Sequence, residues 1–541
     1  MKRTTKKSLA LLSTAAFALS MLAGCSGGSS GSSAGSDAAT ADTASESTAA
    51  SEADATADGP LFSDPVEISM LIPSHASWPF QDDWYVIDLI NEETNVDFKI
   101  TSVDTEGFSE KLNLTMSSGE LPDLIYLIGN AAVQQYAPQG AFVNILDHLD
   151  EMPNFKAWYE ENQAYALNFM SADGGLYQFP EQGVDETNRR GWLYRADVFE
   201  ELGLEVPTNQ DEFYDVLVKL KEAYPDSYPL AFRSFAGQLT QLNMIAPSWG
   251  TSFIDTGDNR FLGYDFETGE WTFGPTSPEF KEMLEFYNKL YEEGLLLPNF
   301  LTIDTKGWQD VMAASDSFIT IDYLSRIDFF NNSMRESDPD FTMAYMAPPS
   351  FGENGVNKFA YSAKGVYGFV VSSQTKHLDE VLAYVDWMYS DEAKELLSWG
   401  RPGELYEEDA EGNRTWKTYT TAAEMKQDTG LQTFGFYQLY DFGGEMATFT
   451  EELRTATEEA RQYDLQQQPV LAFTEEEQDV VNTIGTNIQT YVNEQISKFM
   501  LGERSFDEWD AYVAEVEALG LDQLKAVHES SYARVLAAQE G

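Results

Sequence analysis

Three observations predict an α/β protein of more than one lobe. Short apolar runs alternate with amphipathic helical patterns along the chain, the signature of parallel-rich sheets flanked by helices. The run Leu124-Ile125-Tyr126-Leu127-Ile128 is apolar without a break, as a strand covered on both faces must be. From Pro60 to Gly541 the composition is globular, and the length suffices for two lobes with large cores.

The chain opens on Lys2, Arg3, Lys6 and Lys7, followed by an apolar run to Ala23 that is too short to span a bilayer. Residues 1–24 therefore read as an export signal. Leu22-Ala23-Gly24-Cys25 resembles the lipobox of bacterial lipoproteins, which implies a diacylglyceryl group on the sulfur of Cys25. Two acyl chains, at about 0.8 kcal/mol per buried CH₂, hold a protein on a membrane where one does not. Residues 26–59 contain only Ser, Ala, Gly, Thr, Asp and Glu, so 25–60 is expected to be a lipidated, disordered tether with a reach of about 30 Å. Cys25 is the only cysteine, which excludes disulfides, thiolate zinc sites and cysteine nucleophiles from the mature chain.

The 90 acidic and 33 basic side chains leave a formal net charge of -57. Such a surface repels phosphates, so nucleic acid is excluded as a partner. It also favours a neutral ligand and a monomer.

In chain order, Val66-Glu67-Ile68-Ser69-Met70 and Val96-Asp97-Phe98-Lys99-Ile100 alternate as strands, and Tyr367-Gly368-Phe369-Val370-Val371 reads as a buried one. Ser277-Pro278 caps a helix that carries Phe280, Met283, Leu284, Tyr287 and Leu290 on one face and stops at Gly294. Thr474 and Glu477 form a capping box ahead of a long helix ending at Gly502, and Ser505 with Glu508 opens the next. Trp387 and Trp509 lie on apolar helical faces and are assigned to packing.

Four stretches carry a resemblance. Ser118-Gly119-Glu120-Leu121-Pro122-Asp123-Leu124, Asp173-Gly174-Gly175-Leu176-Tyr177-Gln178-Phe179-Pro180, the segment from Trp192 to Phe199 with Leu202-Gly203-Leu204, Pro207 and Thr208, and Phe499 to Gly502 with Trp509, Asp510 and Tyr512 follow one another as they do in the family 1 extracellular solute-binding proteins. These are the lipid-anchored receptors of carbohydrate ABC importers. The resemblance implies a two-lobed periplasmic-binding-protein clamp, type II-like, with an interlobe hinge. It implies a first lobe of residues 61–183 and 310–365, a second of 184–309 and 366–541, and Ser317 to Ile321 as a strand returning to the first.

In such a clamp the ligand sits outside the carboxyl ends of the strands. Carried onto this sequence, that implicates His75, Trp78, Asn130 and Gln182 in the first lobe. Arg190, Arg233, Gln238, Trp249, Asp322 and Tyr323 are expected beside them, with Trp399 and Arg401 on the turn after the helix from Asp391. Aromatic planes suit sugar C–H faces, and planar Arg, Asn, Asp and Gln groups suit paired hydroxyls. The partners implied are an oligosaccharide and ABC permease subunits, on the outer face of the bacterial cytoplasmic membrane.

No enzyme motif competes. His75, His148, His377 and His528 are scattered without HExxH, and from Pro60 onward no GxSxG occurs, its matches being confined to the low-complexity stretch Gly24–Gly35. A receptor of the same fold for a non-sugar solute, a peptide or other small molecule, and a secreted glycoside hydrolase are the alternatives. No cofactor fingerprint is present, and Asp409-Ala410-Glu411-Gly412-Asn413 reads as a hairpin turn around Gly412-Asn413 rather than a metal loop.

Overall fold

The computed structural model describes residues 59–183, 189–234, 239–255, 258–360 and 366–539. The leader, Cys25 and Gln238 lie outside the described residues. The strands are β1 (Val66–Ser74), β2 (Val96–Asp104), β3 (Leu124–Ile128), β4 (Arg190–Arg195), β5 (Leu262–Asp265), β6 (Glu270–Phe273), β7 (Ile319–Tyr323), β8 (Met343–Met346), β9 (Tyr367–Val371), β10 (Tyr406–Glu408) and β11 (Arg414–Trp416).

One sheet has the order β2-β1-β3-β9. β1 runs parallel to β2 and β3, and β9 is antiparallel to β3 with Leu124 opposite Val371. Alternation along the strands divides the core in two. Ile68, Met70, Ile72, Tyr126 and Phe369 pack on one face; Leu71, Ile125, Leu127 and Val370 pack on the other with Phe108 and Phe142. Helices cover both faces, which is why Leu124 to Leu127 had no polar position to spare, while Ile128 emerges at the strand's end.

A three-stranded sheet, β7-β4-β8, pairs both neighbours antiparallel to β4, and β5-β6 and β10-β11 form two-stranded hairpins. Trp192 packs on one face with Phe213, Phe232 and Ile321, and Leu193 on the other with Trp308, Ile327 and Met343. Burying each such large side chain contributes about 1.5–3 kcal/mol.

These pairings correct the expected lobe boundaries. Residues 310–365 contain β7 and β8, which hydrogen-bond to β4 and so belong to the second lobe, not the first. β9 hydrogen-bonds to β3, and the residues after it as far as Phe442 join the first core; they leave the second lobe, where they had been expected. The chain returns to the second lobe with the helix Glu451–Ala460, whose Leu453, Ala456 and Ala460 pack with Trp308. An apolar run announces a strand but not its neighbour, because register and partner are decided by long-range packing.

Local punctuation follows the sequence closely. Ser277 Oγ accepts from the Phe280 N–H at 3.1 Å at the start of the helix Pro278–Glu292. Thr474 and Glu477 form the reciprocal capping box. The helix that follows is interrupted by a π turn over Val481–Gly485, where a Cβ on Gly485 would lie 2.8 Å from Arg260 Cγ. Trp387 and Trp509 are buried in the two cores. Residues 409–413 join β10 to β11, with the Asp409 carboxylate accepting from the Glu411 and Asn413 N–H groups.

Candidate functional site

Connectivity decides which sheet ends meet. The chain passes between the lobes between Gln182 and Arg190, between Phe359 and Tyr367, and between Met446 and Glu451. In the first lobe this is the end where β1 and β3 finish and β9 begins. In the second it is the end where β4 begins at Arg190, directly opposite Tyr323 at the close of β7. The crossovers are laced together: Arg189 pairs with Asp464 at 2.5 Å, Phe359 donates its N–H to the Tyr463 carbonyl at 2.9 Å, and the Val470 N–H reaches Asn168 Oδ1 of the first lobe at 3.4 Å. The ends of the two sheets therefore form two walls flanking one hinge.

On the first wall, the turn after β1 folds His75 beneath Trp78, with ring centroids 3.8 Å apart and planes 13° from parallel. His75 Nδ1 accepts the Ser77 N–H at 3.1 Å. Burial, and next the charge of Lys426, hold the imidazole below its ordinary pKa, so it is neutral and able to accept that bond. Phe434 meets His75 edge-on at 6.4 Å, and Lys426 Nζ lies 5.1 Å from the Trp78 ring centre. Lys426 is buried and paired with buried Glu445 at 2.8 Å; the Tyr440 hydroxyl lies 2.6 Å from the same carboxylate. Gly435 has φ +86°, and a Cβ there would sit 2.8 Å from Ile72 Cγ2, so only glycine lets this loop lie against the end of β1.

Beside this platform, Glu181 is fully buried and accepts from the Tyr126 hydroxyl, while its backbone carbonyl accepts from Tyr165 at 2.6 Å. Burial and then Glu181 push the phenols of Tyr126 and Tyr437 well above their usual range. Asn130 is half-buried at the end of β3, ahead of the helix Ala131–Tyr136. Gln182 is turned into its own lobe: its Oε1 accepts from Trp158 at 2.9 Å and its Nε2 donates to Asn162 at 3.2 Å.

The second wall is built from charge. Arg233 donates through Nε and Nη2 to the carboxylate of Asp322, which is 0% exposed, and through Nη1 to Thr305 at 2.8 Å. Arg326 Nε and the Tyr323 N–H complete the shell of Asp322 at 3.0 and 2.9 Å. The Trp308 ring underlies both guanidinium groups, each 5.5 Å from its centre. Arg190 lies 4.4 Å from the centre of the Tyr323 ring and donates to that residue's hydroxyl at 2.7 Å. Near Arg190 sits Asp255, 7% exposed, whose pKa is raised to about 6, chiefly by burial.

The structure thus brings together four of the residues expected from sequence, Arg190, Arg233, Asp322 and Tyr323, on one wall, and places His75, Trp78 and Asn130 on the other. Trp249 is fully buried, stacked on Phe351 at 5.1 Å in the second core. Trp399 is buried against Trp416 and donates to Asp441 at 2.7 Å. Arg401 bridges Glu92 and Glu93 at the far end of the helix Tyr85–Thr94, away from where β1 ends. Lys426, Phe434, Tyr437 and Asp255 were missed. The aromatic run Phe434 to Tyr437 was a signal for two of them; Asp255, one acid among many, had none.

Comparison with known proteins places these features. The model of the family described as bacterial extracellular solute-binding protein matches residues 80–395. The fructooligosaccharide ABC transporter substrate-binding protein FusA of Streptococcus pneumoniae serotype 4 is 24% identical over 484 residues, 83% of this chain and 86% of that protein. The polygalacturonan/rhamnogalacturonan-binding protein YtcQ of Bacillus subtilis is 22% identical over 463 residues, 82% and 87% of the two chains. Among solved structures, an HMO-binding, ABC-transporter-associated solute binding protein of Bifidobacterium longum infantis aligns with a TM-score of 0.71 at 18% identity, over 87% of this chain and 99% of its own. The architecture is that of two-domain solute-binding proteins.

Proposed function

The chain belongs to the bacterial extracellular solute-binding proteins, and on that footing we propose that it captures a neutral oligosaccharide between its two walls and delivers it to an ABC permease. The observation that carries this reading is the pairing of a half-exposed aromatic platform, Trp78 on His75, with planar hydrogen-bonding groups, Arg190 and Tyr323, across one hinge. A sugar touching both collects all its contacts only when the lobes close, and closure is the state a permease can read. The names of the relatives, fructooligosaccharide and polygalacturonan/rhamnogalacturonan among them, support a sugar as cargo.

The protein acts as a receptor and not as an enzyme. Among the described residues, the buried wall carboxylates Glu181, Glu445 and Asp322 are engaged by Tyr126, by Lys426 and by Arg233 with Arg326, so Asp255 has no second available carboxylate beside it, and a glycosidase needs two across the scissile bond. Cys25 anchors it to the membrane through lipid, outside the cell, and it works as a monomer.

A thermal-shift screen of residues 26–541, the chain without its signal and lipidated cysteine, tests the reading against neutral oligosaccharides, uronate oligomers and peptides. A ligand at a hundred times its Kd adds about 2.7 kcal/mol to the folded state. One neutral sugar raising the melting temperature while its epimer is silent, with no new reducing ends formed, is the expected result. A peptide hit, or a uronate bound more tightly than its neutral counterpart, overturns it.

A further inference from the structure

Asp255 is a buried acid with one carboxylate oxygen that nothing among the described residues engages. It is 7% exposed, yet its Oδ1 is buried without a hydrogen-bond partner. Native proteins rarely leave a buried carboxylate oxygen so, because the lost solvation is not returned. A few residues on, the Phe261 N–H closes onto the Ile254 carbonyl at 2.8 Å, and Arg260 and Phe261 are both held in the left-handed region at φ 50° and 68°. Strain and an unmatched acceptor together mark a residue kept for something other than stability.

Its surroundings say what it can bind. Asn243, from the helix Thr240–Ile245, donates to the carboxyl group, and Gln489, from the helix Thr486–Met500, donates to its backbone carbonyl at 3.1 Å. Arg190, at the start of β4, is the cation whose charge acts on it; Arg260 is held on the other side of Gln489 at 2.8 Å and lies 3.6 Å from Asp258. An acceptor beside a fixed guanidinium matches two adjacent hydroxyls, one donating to Asp255 and the other accepting from Arg190.

Resting on the oligosaccharide reading above, we propose that Asp255 is the hydroxyl-binding residue of the second lobe and that the cargo presents an uncharged vicinal diol to Asp255 and Arg190. A proton linkage follows. Burial raises the carboxyl to about 6 in the free protein, and a donating hydroxyl favours the ionised form, so affinity falls as pH drops through 6. The ligand-free fold shows the opposite preference: ionised Asp255 destabilises it. That penalty is absent below the unfolded carboxyl pKa, grows as pH rises to about 6, and is constant above.

The test compares residues 26–541 with the Asp255→Asn variant, with and without kestose, fructo-nystose, maltotriose, an oligogalacturonide and an alginate oligomer as probes. Without sugar, the variant is expected to melt at or above the wild type at pH 7.5. With a bound neutral probe, wild-type affinity should fall about tenfold from pH 7.5 to pH 5, and the variant should bind at least about tenfold more weakly at pH 7.5 and show no pH dependence. A variant that melts lower without sugar makes Asp255 structural and overturns the proposal, as does one that binds like the wild type. If the wild type binds no probe, the oligosaccharide reading fails and this inference with it; the sugar-free melting comparison keeps that outcome separate from a failure of Asp255 alone.

Discussion

The two walls of the hinge solve one problem in different ways. The first wall is a turn whose two rings, His75 and Trp78, stack on each other, with the nearby cation Lys426 neutralised behind them by Glu445. The second is two strand ends at which Arg233, from a loop, and Arg326, from the start of the helix Arg326–Met334, are locked on a single carboxylate, Asp322. Rings stacked at a turn can be altered without harming the core; a saturated ion cluster centred on a carboxylate at 0% exposure cannot. The difference separates residues that recognise from residues that hold the recognising groups in place.

Breaking the second wall should have the largest effect. Asp322→Ala leaves two guanidinium groups without their shared carboxylate, and losing one partner of a buried ion cluster costs about 3–5 kcal/mol. Urea denaturation of the variant should show that loss; a loss under about 1 kcal/mol would mean solvent reaches the cluster and the contrast between the walls is overdrawn. Trp78→Ala sharpens the comparison from the other side. Because Trp78 is half-exposed, the melting temperature without ligand should change little, while the Kd for the sugar found in the screen rises about tenfold, or roughly 1.4 kcal/mol.

Much of this was legible in the sequence because it is local. The caps at Ser277 and Thr474, the strands at Val66, Val96, Leu124 and Tyr367, and the turn at Gly412 each depend on residues a few positions apart. Lobe membership was not legible, since β7 and β9 are both short buried strands whose hydrogen-bond partners lie far away in sequence. The walls divide in the same way. Arg190, Asp322 and Tyr323 flank strand ends and could be guessed from topology, whereas Lys426 and Asp255 reach their places through loops and helices whose paths depend on the whole fold. Trp249 and Trp399 illustrate the reverse: each lies beside a turn in sequence, and each is absorbed by a core, where an indole buries more apolar surface than at the wall.

The smallest effect expected is a pH dependence on the first wall. His75 has a pKa below its ordinary value, lowered by burial and then by Lys426, so folding favours the neutral ring. The sign follows: the stabilisation is present above the unfolded histidine pKa of about 6.5 and is lost as pH falls through it. Protonation also converts Nδ1 from the acceptor of the Ser77 N–H into a donor and sets a second cation beside Lys426, which loosens the turn that carries Trp78. A His75→Gln variant should therefore lose less stability than the wild type between pH 7 and pH 5, by a small margin because the ring is partly exposed. Equal losses in the two proteins would show that the turn keeps its shape when the ring is charged, leaving Asp255 as the group through which acid weakens sugar binding.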